Sequence, residues 1–221
     1  MNQPIEIEVF TDPMMGLSYE HEPVLEKLRE HYGERLTIRY IMAGLVRDVS
    51  EFMNACELSL NAEEGIAVYN KRLAKIYKSE ESISGLPINM ENFRLFDTEH
   101  RSSYPLCIAY GAAKLSDPAK ADNYLYTLRK ATIIEERQTV RTEELIACAA
   151  EAGINEKVFK THFSDGSAEA LFRTESQYAR NLGIYNLPAY LIRVCHRQTL
   201  IRGLPDFEWF VSEITSMEKS Y

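Results

Sequence analysis

The chain has 221 residues, 45% of them hydrophobic, and its 25 Lys and Arg against 33 Asp and Glu give a formal charge of −8. That length and apolar content can bury a full core, as one large domain or as a domain with an insertion. The acidic balance argues against nonspecific binding to nucleic acid or to an anionic membrane, because both attract cations.

The N-terminus, Met1-Asn2-Gln3-Pro4-Ile5-Glu6, shows no basic start, apolar h-region or cleavage site, so a signal peptide is not expected. No apolar run approaches the ~20 residues that span a bilayer, and there is no Asn-x-Ser/Thr sequon. A cytoplasmic protein with no membrane or nucleic-acid partner is the expectation.

Residues 5–11 alternate apolar and polar before turning branched and aromatic, which predicts a strand. Residues 18–32 have helical spacing, with Gly33 as the stop. Pro23 falls inside that run, removing one backbone donor and crowding the preceding turn, so a kink is expected there. Residues 36–42 predict a second strand, and two strands joined by a helix make a βαβ unit with a parallel pair. Helical spacing then dominates over 62–78, 104–115, 119–136, 142–152 and 155–163, with breaks at Asp117-Pro118 and Gly153. The expected organisation is an all-helical insertion at 49–165 in an α/β domain formed by 1–48 and 166–221, the two parts sharing an interface. A helix over 167–181, a strand over 187–194, a polar turn at 196–199, a short strand at 200–202 and an amphipathic helix over 207–217 complete the reading.

Cys56, Cys107, Cys148 and Cys195 form no Cys-x-x-Cys pair, and in a reducing compartment such thiols are expected to be buried and free. The five histidines are dispersed, with no paired Cys/His spacing for zinc. Cys195 and His196, read as strand neighbours, would point to opposite faces. No phosphate-cradling glycine motif is present.

The stretch Asp12-Pro13-Met14-Met15-Gly16-Leu17-Ser18-Tyr19 follows the first strand and opens the first helix. With Glu22-Pro23-Val24-Leu25, Ser102-Ser103-Tyr104-Pro105 and Gly183-Ile184-Tyr185-Asn186-Leu187-Pro188-Ala189-Tyr190, it makes the chain resemble the DsbA-like thioredoxin-fold family over nearly its whole length, most of all the cytoplasmic FrnE-type branch. The resemblance implies a thioredoxin fold with a large helical insertion. It also implies that the Leu187-Pro188 bond is cis and faces the motif turn, so that this edge can pair with an extended peptide.

Active members of that family carry Asp-Pro-x-Cys-x-Trp-Cys at the turn. Here Met15 stands at the first cysteine, Leu17 at the tryptophan and Ser18 at the second cysteine. A thioether has no proton to lose. A helix dipole, worth about 1 kcal/mol, cannot ionise a serine. Dithiol–disulfide exchange needs a thiolate and a resolving thiol, so that activity is excluded at this turn, and no distant cysteine is expected to fold beside it. Ser18 is read as a helix cap rather than a catalyst. Met14, Met15 and Leu17 form an apolar cluster, either buried under the insertion or offered to a partner. Tyr69, Tyr77, Tyr104, Tyr110, Tyr124 and Tyr126 are read as core or interface tyrosines, some lining a cleft.

Two functions follow from the resemblance. One is a non-catalytic binding protein, similar in architecture to the YjbH-type adaptors, which captures a peptide or protein client through Leu187, Pro188, Tyr104 and Met14 and uses no cofactor. The other is a glutathione-dependent transferase or isomerase of kappa-class type. That family's serine aligns with Met15, so Ser18 would have to take over the thiolate contact.

Overall fold

Four strands make one mixed sheet in the order β2-β1-β3-β4, built from β1 (Ile5–Thr11), β2 (Leu36–Met42), β3 (Ala189–Val194) and β4 (Arg197–Arg202). The computed structural model describes residues 3–219. Met1 and Asn2, on which the reading of the N-terminus partly rests, and residues 220 and 221, the end of the expected domain span 166–221, lie outside the described residues. β1 is central, parallel to β2 (Ile5 opposite Leu36, Thr11 opposite Met42) and antiparallel to β3 (Phe10 opposite Ala189). A central strand is covered on both faces. Ile5, Ile7 and Val9 belong to the main core, while Phe10 packs with Ile41, Leu191 and Ala179 on the other side. Burying each such side chain stabilises the fold by about 1.5–3 kcal/mol.

The helices are α1 (Gly16–Glu20), α2 (Glu22–Tyr32), α3 (Ala55–Leu58), α4 (Ala62–Glu80), α5 (Tyr104–Ser116), α6 (Ala121–Ile133), α7 (Thr142–Glu151), α8 (Glu156–Ser164), α9 (Ser167–Asn181) and α10 (Phe207–Lys219). Among the described residues no strand lies between β2 and β3. The main core runs without interruption from the sheet (Ile7, Ile192) into the helices between them (Leu106, Leu128). Arg129 of α6 is buried there, paired with Glu22 of α2, and donates to Thr11 Oγ1 at 3.0 Å. Tyr40 donates to the other oxygen of Glu22 at 2.8 Å. A buried charge is tolerated because it is paired and hydrogen-bonded.

Three expectations change. The predicted kink at Pro23 is a full break, with α1 ending before His21 and α2 starting at Glu22. Pro23 then sits in the first turn of α2, where its missing N–H has no intrahelical partner to lose. Buried His21 fixes the break, its Nδ1 lying 2.6 Å from the Tyr190 hydroxyl and its Nε2 2.7 Å from the Pro205 carbonyl oxygen. Burial pulls the imidazole pKa below its usual value, and the carbonyl of Pro205 opposes the shift. At the other end, the residues expected as a polar turn at 196–199 mostly belong to β4, which begins at Arg197. Cys195 and His196 are the two-residue hairpin loop, with Cys195 in a left-handed conformation at φ 56. They are therefore not strand neighbours, and the alternation argument does not apply to them.

Candidate functional site

Asp12 organises the turn between β1 and α1. It is fully buried, and its Oδ1 accepts from the Met14 amide at 3.1 Å. Its Oδ2 accepts from the Leu45 amide at 2.7 Å and the Ser103 hydroxyl at 2.6 Å. One carboxylate thus ties the turn to the loop after β2 and to the start of α5. Burial raises its pKa, opposed chiefly by the Leu45 amide and the Ser103 hydroxyl.

The four motif residues are not presented to solvent. Met15 is 6% exposed and Ser18 3%; Gly16 is buried and Leu17 half-buried. Ser18 is not the cap expected of it. Met15 holds the N-cap position without a side-chain bond, and Ser18 lies inside α1, accepting from Thr11 Oγ1 at 2.7 Å. The cover is α4. Its Tyr77 hydroxyl donates to the Met14 carbonyl at 2.5 Å, and its Glu80 carboxyl lies against Gly16 in the space a β-carbon would need. Burial, then the nearby Glu20 charge, push the Glu80 pKa up to about 7. One oxygen of Glu20 takes the Ser84 amide at 3.0 Å and its hydroxyl at 2.6 Å, while the other oxygen is buried without a partner.

This environment opposes dithiol chemistry twice over. A redox thiol needs positive potential and access, whereas here the Glu80 carboxyl lies against the start of α1, Glu20 ends that helix, and α4 roofs it. One cysteine does fold beside the turn, against expectation: the Cys107 Sγ lies 3.4 Å from Asp12 Oδ2. Burial, then the Asp12 charge, raise its pKa well above the ordinary thiol value, so it remains a protonated core group. All four cysteines are free. Cys107 and Cys148 are buried, but Cys56 is exposed and Cys195 half-exposed, which corrects the expectation that all four are inside.

The register of β1 against β3 brings the segment before Ala189 beside the turn after Phe10, and the Leu187–Pro188 bond is cis. A cleft of about 400 Å³ opens there, lined by Leu187, Tyr185, Tyr104, Phe52 and Arg180. Gly44 lets the chain pass beneath it: at φ 77, a β-carbon would stand 2.8 Å from Phe172 and 2.9 Å from Tyr104. Leu45 and Phe52 are shared with an adjoining hollow of about 160 Å³ that reaches Met14 and Met15. The structure therefore joins Tyr104 and Leu187 in one cleft and places Met14 and Met15 in the next. Pro188 is buried and is not among the residues lining the cleft, and Tyr190, bonded to His21, is a core residue rather than a contact residue. Of the tyrosines read as core, Tyr69, Tyr77, Tyr110 and Tyr124 are buried, whereas Tyr126 is exposed.

Sequence reasoning missed Phe52, Tyr185 and Glu80. Tyr185 carried the one available signal, an aromatic residue in the loop between α9 and β3, and it is 75% exposed. Among the described residues no group of three His, Cys, Asp or Glu is placed to hold a metal ion, and no helix is long and apolar enough to cross a membrane.

A family model described as Thioredoxin matches residues 9–204. The chain is 28% identical over 190 residues to the ClpXP adapter protein SpxH of Halalkalibacterium halodurans, a match covering 86% of this chain and 58% of that protein. It thus spans little more than half the length of that relative. A Nitrosomonas europaea protein provisionally named a protein disulfide isomerase superposes with a TM-score of 0.79 at 18% identity, covering 99% of this chain and 100% of that one. A Streptomyces coelicolor protein provisionally named a DsbA oxidoreductase gives 0.72 at 18% identity, covering 98% and 91%. At such identities these likenesses establish the fold, a DsbA-like thioredoxin fold with a helical insertion.

Proposed function

The chain belongs to the thioredoxin family, and from that premise we propose that it is a non-catalytic cytoplasmic adaptor that holds an extended segment of a protein client. The observation that carries this reading is an aromatic cleft, built by Phe52, Tyr104, Tyr185 and Leu187, set beside a motif turn that carries no thiol and whose neighbouring thiol, Cys107, is buried and held protonated. Clefts of this kind bind by burying apolar side chains, with a few polar groups fixing orientation; Arg180 is the charged group of this one. Met14 and Met15 extend the apolar surface beyond Leu45, and their flexible thioethers can adapt to different side chains. In this assignment residues 1–48 and 166–221 form the thioredoxin-like unit, and the insertion at 49–165 supplies Phe52, Tyr104 and the α4 roof.

The relatives named ClpXP adapters lend support to the second half of the reading, delivery of the client to ClpXP. The test begins with a photoreactive residue at position 185, which captures the client in cells. The captured protein is then given to purified ClpXP with and without this chain. Faster degradation with the chain, lost on Leu187→Asp, is the expected result. A captured partner whose degradation the chain leaves unchanged would sink the adaptor reading.

A further inference from the structure

A second groove lies on the other side of α4, away from the motif turn. It has a volume of about 900 Å³ and runs between α4 and the extended segment after it. Its floor is apolar, with Ala74, Ile88 and Phe93 all buried. Its walls carry Lys71, Lys75, Lys78 and Arg94 against two carboxylates, Glu91 and Glu136. Four cations against two anions leave an excess of two positive charges, in a chain whose formal charge is −8.

Some of these groups are already engaged. Lys78 pairs with Glu81 at 2.6 Å and donates to the Ile88 carbonyl at 2.9 Å, and Glu136 accepts from the Asn92 amide at 2.5 Å. Lys71, Lys75 and Arg94 have no ion pair or side-chain hydrogen bond among the described residues. Most arginines here have a carboxylate partner, as Arg72, Arg101, Arg137 and Arg141 do. Lys27, Lys157 and Arg197 are likewise unengaged among the described residues, but this groove gathers three such cations around one apolar floor.

The spacing narrows the occupant. Lys71 and Lys75 are four residues apart on a helix, a rise of about 6 Å. Residues i and i+2 of an extended peptide are about 6.6 Å apart and point the same way. Two acidic residues at alternate positions would meet Lys71 and Lys75 in step, and the intervening residues would turn toward Ile88 and Phe93. We propose that this groove binds an extended protein segment that alternates acidic and apolar residues, with Lys71, Lys75 and Arg94 reading the carboxylates. The site is separate from the cleft at Leu187 and goes beyond the function proposed there, giving α4 a second binding face.

The test is fluorescence anisotropy with a labelled peptide of about ten residues that alternates Glu and Val, long enough to cross the groove when extended. Binding is expected to weaken as salt is raised. It is also expected to weaken at least tenfold, or about 1.4 kcal/mol, in the double variant Lys71→Glu/Lys75→Glu. Both lysines are exposed, so the variant should keep its circular dichroism and melting temperature. Leu187→Asp should leave this peptide's affinity unchanged, which separates failure here from failure of the client cleft. Equal binding of a Gln-Val peptide, or full affinity in the charge-reversed variant, would overturn the proposal. So would a single-stranded oligonucleotide that binds as tightly as the peptide.

Discussion

The Glu80 carboxyl group fills the space where a β-carbon on Gly16 would stand. This contact joins the last turn of α4 to the first residue of α1, at the place where a disulfide enzyme of this fold would need positive potential and an open path. The turn is therefore closed and flanked by carboxyl groups, the opposite of what a reactive thiol needs. With Tyr77 bonded to the Met14 carbonyl, α4 holds the turn shut from two directions.

Restoring the two cysteines alone should accordingly fail to restore activity. In Met15→Cys/Ser18→Cys, the thiol at position 15 is expected to titrate at or above the ordinary value of about 8.5, because burial and the carboxyls of Glu80 and Glu20 disfavour a thiolate. Insulin reduction should stay at background. Adding Glu80→Ala should lower that pKa and speed alkylation. A double variant whose thiol titrates below about 7 and turns over insulin would show that only the cysteines were missing.

Glu80 also gives stability a defined pH dependence. Its carboxyl titrates near 4.5 ordinarily and at about 7 in the fold. Between those values the native state keeps a proton that the unfolded chain has released, so stability falls as pH rises through the window. The side chain is partly exposed, and solvent screening reduces the effect to about 1 kcal/mol. Glu80→Gln is expected to gain that amount at pH 8 and little at pH 5, measured by urea unfolding. An equal gain at both pH values would rule out ionisation as the cause.

How much of this the sequence revealed depends on the range of each interaction. β1, β2 and α9 are set by local periodicity and stops such as Gly33, and they lie where the pattern places them. β4 was shortened because Arg197 and Gln198 are polar residues on an exposed edge strand, where alternation carries little information. The motif turn was legible because its neighbours in sequence are its neighbours in space. Glu80 was not, because helical spacing marks which face of α4 is apolar but not what that face meets. The inward turn of Tyr190 is hidden for a related reason: the loop pattern puts it next to Leu187 and Pro188, and only the His21 contact shows that it points into the core.

Asp12 should be among the most sensitive positions of the site. Asp12→Ala removes the acceptor for the Leu45 and Met14 amides and for the Ser103 hydroxyl. Leaving such donors unpaired inside the protein is expected to destabilise it by about 3 kcal/mol. Asp12→Asn retains one acceptor oxygen and removes a charge that burial disfavours, so its loss should be nearer 1 kcal/mol. The two urea midpoints decide the matter, and equal losses would mean that the charge, not the hydrogen bonding, holds the turn.

Ser18 separates the adaptor from a glutathione-dependent enzyme. Its hydroxyl accepts one bond from Thr11 Oγ1 at 2.7 Å, and Thr11 has a second acceptor within reach, the Asp12 carbonyl at 3.2 Å. Ser18→Ala therefore leaves no donor stranded and should lower stability by less than about 1 kcal/mol. A serine that stabilises a glutathione thiolate must face a cleft, and this one is 3% exposed inside α1. Millimolar reduced glutathione is accordingly expected to leave the melting temperature unchanged in both wild type and Ser18→Ala. A rise in the wild type that Ser18→Ala abolishes would instead assign the site to glutathione, since binding to the native state alone raises the melting temperature.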